Sequence, residues 1–417
     1  MQSQLWPVAR RVFITALLLF VVTIVIGILN GTDLYFPGRD ALLTHVHSGT
    51  LGWITLSVSG VALLMLTEGR ALSVAEVKQA GWMAWSIIGA IVLYVFGGFL
   101  TGGHLPSSDS DAPYHTGLGR PIFGTLLFIV IIWYLVWIVR NYRADGARST
   151  ARLGLLLAWI ALLIGAVFGV LLGIFTSQGK VPGLSAETSQ SLADAHPPAM
   201  VIGYLILAAM AVIEWLFRGD RSRTKGGDTQ MWLLFAAGII ANVAFISGAD
   251  PLLGLANLLM IVGVVMLVVR SWEQLKPSGW KGSGTGAYPR VSSTFLVVYL
   301  ILGTVLISLF ISGAMDIDSV SDAQEGLLLT FDHSMFVGVM TMLLFGVVSS
   351  RSRGRELSVV DRIVLWGVPI GLVTFAVGLM TVHAVPKRIG TPIMGTSLLI
   401  GIGYYVWTMA THRAPTS

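Results

Sequence analysis

The 417 residues include no cysteine, and that absence removes several chemistries at once. Without a Cys-x-x-Cys-His attachment there is no covalently bound haem, and without thiols there is neither thiolate ligation nor a disulfide. Charge is scarce too: Asp, Glu, Lys and Arg make 11% of the chain, against about a quarter in soluble domains. No phosphate-binding glycine loop or nucleophile elbow stands out, so hydrolytic chemistry has no residues to carry it. What is present is apolar. Hydrophobic residues make 55% of the sequence and its mean hydropathy is +0.80.

Apolar runs of about twenty residues, each long enough to cross a bilayer, begin near Val12, Leu42, Gly81, Pro121, Gly154, Leu192, Met231, Pro251, Ser293, Leu327, Ile363 and Thr391. They define an all-α integral membrane protein of twelve transmembrane helices. It is a single membrane domain over residues 1–417, embedded in the lipid bilayer as a multi-pass protein of the cell membrane. The net charge of +5 is therefore no nucleic-acid signal. The first run follows Arg10 and Arg11 as a signal peptide would, yet no small-residue cleavage site follows Gly31, and a retained helix is expected.

Basic residues test this count. With both termini cytoplasmic, 21 of the 26 Lys and Arg fall on the inner side, leaving only Arg39, Arg120, Lys180, Lys387 and Arg388 outside. One span more or fewer would scramble that alternation.

Three of the eight histidines open comparable spans: His47 the second, His196 the sixth and His333 the tenth. A glycine follows His47 and His333 by five residues (Gly52, Gly338) and His196 by seven (Gly203). Each such span lies four after the last, which gives three pseudo-symmetric four-helix units, roughly 1–150, 151–275 and 290–417. The stretch Lys276-Pro-Ser-Gly-Trp-Lys-Gly reads as a linker between the second and third. Ionisable side chains within the membrane mark functional sites by default. Imidazoles at one depth on neighbouring helices suit an iron porphyrin held from both faces, or a small copper or iron site. An interhelical hydrogen bond is the plain structural alternative.

His45 precedes His47 by two residues. On an α-helix that spacing turns the rings by about 200°, so one helix can stand between two prosthetic groups and hold both. The stretch His45-Val46-His47-Ser48-Gly49-Thr50-Leu51-Gly52-Trp53 resembles the paired-histidine segment of the haem–copper oxidase superfamily's catalytic subunit, closest in phrase to the C-family haem b oxidases. In that family one such histidine binds the high-spin haem and the other the low-spin haem, within a twelve-helix bundle of three arcs.

The pair opens the tenth helix there and the second here, a shift of one unit. With that shift the resemblance implies that His47 and His196 share a low-spin haem b and that His45 holds a second. His333 and His383 would then face His45 as ligands of copper or non-haem iron. His45, His333 and His383 become the catalytic set. The unshifted order instead pairs His47 with His333. A third imidazole is missing, and Met335, Met380 or Asp332 are the substitutes. Lys387 and Arg388, beside His383, are candidates for haem propionates or plain interfacial anchors. The loop His104–His115 is a cap, a loose copper site or a solvated loop, and His412 falls at the inner terminus.

The resemblance further implies an oxidoreductase of respiratory electron transport. It would take electrons from a cytochrome or quinol, work with or without accessory subunits, and reduce O2 or NO. The seventh span, Asn242 to Gly248, carries no histidine pair, and the eleventh has no tyrosine near His383. The family's nitric oxide reductases also lack that tyrosine. Glu214 alone offers a carboxyl in the inner half of the sixth span. Two other classes remain open: a bis-histidine cytochrome b without gas chemistry, and a non-enzymatic membrane carrier of haem, copper or a small solute.

Overall fold

The computed structural model describes residues 3–103, 117–144, 148–219, 222–315, 319–354 and 356–411. No strand occurs among them. Twelve helices are long and apolar enough to cross a membrane. In chain order the first four are α1 (Trp6–Gly31), α2 (Arg39–Met65), α3 (Val74–Leu100) and α4 (Gly119–Ala144). The next four are α5 (Thr150–Gln178), α6 (Ala186–Arg218), α7 (Lys225–Ser247) and α8 (Asp250–Arg270). The last are α9 (Gly284–Ile311), α10 (Asp322–Ser352), α11 (Val359–Met380) and α12 (Ala384–Thr411).

All twelve apolar runs read from the sequence are helices, and most start several residues earlier than the runs. Hydropathy marks only the apolar stretch, whereas polar residues build the first turns. Ser73 with Glu76, Ser321 with Gln324 and Ser358 with Asp361 form reciprocal capping boxes at α3, α10 and α11. Ser149, Ser185 and Thr224 cap α5, α6 and α7 with their hydroxyls.

The helices are not equivalent. The apolar windows of α2, α6 and α10 are 89%, 72% and 72% buried, while those of the other nine are 28–50% buried. These three form the centre, and the others surround them with faces open to lipid. Their later halves touch one another, and α1 packs against both α2 and α12, so the surrounding helices close on themselves. Without a hydrophobic drive between helices in lipid, close backbone approach matters most. In the α11–α12 hairpin, a methyl on Gly371 or Gly390 would collide with the facing backbone of Met394 or Phe375.

Aromatic side chains tie the centre together. Trp53 of α2 donates its indole N–H to the Thr341 hydroxyl of α10 at 3.0 Å and stacks on Phe20 of α1. At the end away from the histidines, Glu214 is held by Arg218 and Arg270, and Glu68 accepts from Trp215 and Arg351. Glu214 is thus an ion-pair anchor. Asp361 accepts from Ser349, Ser358, Tyr288 and Tyr405, a buried cluster with no signature in the sequence.

Candidate functional site: four tethered histidines

Each central helix changes its winding just below its histidines. A π-helical segment runs over Ser48–Thr55 in α2, Ala199–Leu205 in α6 and Ser334–Thr341 in α10. In α2 and α10 the Thr55 and Thr341 hydroxyls bond the carbonyls five residues back, Thr50 and Phe336, at 2.9 and 2.8 Å. Such segments hold one residue more per turn and gather at functional sites. A further π segment, Tyr94–Leu100, ends α3.

These segments align the three helices by geometry. Position 47 matches 198 and 333, and position 45 matches 196 and 331. Gly52, Gly203 and Gly338 then fall in one register, each five residues past the last residue before its π segment. The seven-residue spacing in α6 was therefore an offset of alignment. His196 is the counterpart of His45, and Pro198 takes the place of His47.

The four ring nitrogens Nδ1 all meet backbone carbonyls. His45 reaches Thr23 of α1 at 2.8 Å and His196 reaches Gly165 of α5 at 2.9 Å, each a neighbouring helix. His47 and His333 instead bond carbonyls of their own helix, Leu43 at 2.8 Å and Leu329 at 2.7 Å. A carbonyl only accepts, so Nδ1 carries the proton in every case and Nε2 keeps its lone pair. No hydrogen bond to any Nε2 occurs among the described residues. All four residues are half-buried although their helices form the centre.

Two pairs emerge. His45 and His333 line one cavity of about 280 Å³, walled by Phe20, Ile24, Trp53, Phe336 and Phe375. His47 lies within electrostatic reach of His196, and packs on Phe99 with ring centroids 3.9 Å apart. Each pair combines one ring tethered to a neighbouring helix with one tethered to its own. The third combination, α6 with α10, would need ligands at 198 and 331. Pro198 has none to give, and Phe331 stacks on Tyr299 at 4.3 Å.

The remaining residues singled out in the sequence fall elsewhere. His383 is exposed in the α11–α12 turn, where Val382 has φ 55°, and does not line the cavity. The expected trio His45, His333 and His383 is therefore not assembled, because that turn leaves His383 at the surface. Among the described residues no group of three His, Cys, Asp or Glu could hold a metal ion. Met335 is fully buried, Met380 is exposed, and Asp332 lines the cavity beside His333.

Lys387 also lines that cavity, near Asn30 and Thr391 at the ends of α1 and α12. Its ammonium meets Asp33 at 2.6 Å, and Arg388 meets the same carboxylate at 2.8 Å. These two partners, Lys387 foremost, lower the Asp33 pKa below its ordinary 3.8. His104, His115 and His412 lie outside the described residues.

No protein-family model matches this chain, and no curated protein matches it.

Proposed function

We propose that the protein is a haem-binding membrane oxidoreductase that holds two b-type haems, one between His47 and His196 and one between His45 and His333. The observation that carries this reading is the shared chemistry of the four rings, with Nδ1–H committed to a carbonyl and Nε2 without a hydrogen-bond partner among the described residues, His45 and His333 lining one cavity. As struts they do little: only His45 and His196 bond a neighbouring helix, and one interhelical hydrogen bond in a membrane contributes roughly 0.6 kcal/mol. As ligands they are well prepared, since a hydrogen bond from the second nitrogen fixes the tautomer and raises the basicity of the first.

Bound between two imidazoles, a haem supplies reversible one-electron transfer. His45 and His47 leave α2 on different sides, so one helix serves both sites. Lys387 faces the first cavity and can exchange Asp33 for a propionate, with Arg388 beside it on the exposed side. The common register of α2, α6 and α10 supports three four-helix units, the third space being closed by Phe331. Both termini lie in the cytoplasm of a cell-membrane protein, on the asymmetry of basic residues. The electron donor is a cytochrome or a quinol, as the resemblance of His45–Trp53 implies.

Reduction of O2 or NO is the second reading, favoured by the open cavity around His45 and His333. Carbon monoxide separates the two. Two sites with both histidines on iron give a dithionite-reduced spectrum that carbon monoxide leaves unchanged; a gas-reducing site gives a component that shifts.

Purified protein is expected to carry two haems per chain. His47→Ala and His196→Ala should each remove one and the same low-spin signal, and His45→Ala and His333→Ala the other. A colourless preparation from haem-replete cells would overturn the proposal.

A further inference from the structure

Glycine within a helix costs about 1 kcal/mol relative to alanine, so its placement against a functional ring calls for a reason. Gly27 of α1 lies four residues beyond Thr23, whose carbonyl holds His45. A methyl at position 27 would stand 3.0 Å from the Cε1 of His45. Gly169 of α5 lies four residues beyond Gly165, whose carbonyl holds His196, and a methyl there would stand 2.9 Å from that ring's Cε1. Residues four apart share one face of a helix. Each neighbouring helix thus meets its ring with a carbonyl and, one turn further, with bare Cα. The third counterpart is Gly303, four residues beyond Tyr299, with Phe331 in place of a histidine and a would-be contact of 2.9 Å.

We infer that Gly27 and Gly169 are positioning residues, which with the carbonyls of Thr23 and Gly165 fix the height and plane of the His45 and His196 rings. The inference rests on the haem reading above and adds which backbone atoms set each ligand. An imidazole is rigid. A methyl on the same face of the helix that tethers Nδ1 pushes the ring away from that helix and so lengthens the hydrogen bond. The displacement reaches iron through Nε2. Gly303 provides an internal control, because its methyl would crowd Phe331 to the same degree without touching a ligand.

The experiment compares Gly27→Ala, Gly169→Ala and Gly303→Ala in the full chain. The signals are first assigned with His45→Ala and His196→Ala. The readouts are the low-spin electron paramagnetic resonance of each haem, its midpoint potential, and haem transfer to apomyoglobin. Gly27→Ala should shift the signal and potential of the His45–His333 site and speed haem loss from it about tenfold or more, sparing the other site. Gly169→Ala should do the converse, and Gly303→Ala should leave both sites as in the wild type.

Unchanged signals in Gly27→Ala and Gly169→Ala would overturn the inference. So would equal changes at both sites, or the same changes in Gly303→Ala, which a loosened bundle produces. If Gly27→Ala does not fold, adding His45→Gly should restore a folded chain with the His47–His196 signal, since the methyl then meets empty space; failure of that rescue also overturns it. A wild-type chain without haem would instead defeat the haem reading before any variant is compared.

Discussion

A histidine whose Nδ1 already donates to a carbonyl has one nitrogen left to offer, and at four positions here that nitrogen is Nε2. Candidate ligands of this kind were legible in the sequence because ionisable side chains are rare in apolar helices. Which carbonyl holds each ring was not, since the acceptor belongs to the backbone and any residue supplies one. His383 shows the limit from the other side. It follows α11 at the depth expected of a ligand, but its exposure is set by the conformation of the turn. His383→Ala should therefore leave both haem signals and the iron content per chain unaltered, as measured by spectroscopy and metal analysis.

Asp33 offers a test that needs no cofactor. Its folded pKa lies below 3.8 because Lys387, then Arg388, favours the carboxylate. The stability it contributes is thus complete above the unfolded value and is lost as pH falls through the folded one. Partly exposed pairs of this kind are worth under about 1 kcal/mol. Asp33→Asn should lower the unfolding temperature slightly near neutrality, and that difference from the wild type should fade as pH falls below 3.8 and through the lowered folded pKa.

At the scale of the element, the twelve helices were legible because twenty apolar residues in a row have no other stable fate in lipid. The π segments were not. They depend on a single surplus residue in the winding, which leaves no mark in hydropathy or composition. The α11–α12 turn offers a gain. Val382 is β-branched and left-handed, a conformation costing about 1–3 kcal/mol, so Val382→Gly should raise the unfolding temperature in detergent.

For the molecule as a whole, the alternation of basic residues gives a direct test of orientation. Reporters fused after Arg148 and Arg223 should read cytoplasm, and one at Ser321 the outside. The central place of α2, α6 and α10 was hinted at by their histidines, but closure of the third space by Phe331 and Tyr299 depends on a register only the π segments define. The contact between α2 and α10, with Trp53 bonded to Thr341 288 residues later in the chain, also orders events in time. During synthesis the partners His47 and His196 are both in the membrane once half the spans have been inserted. His45 waits for α10, and the wall of its cavity is incomplete until α12 arrives against α1. On the proposed reading the nascent chain would therefore offer its two sites in succession, the His47–His196 site first.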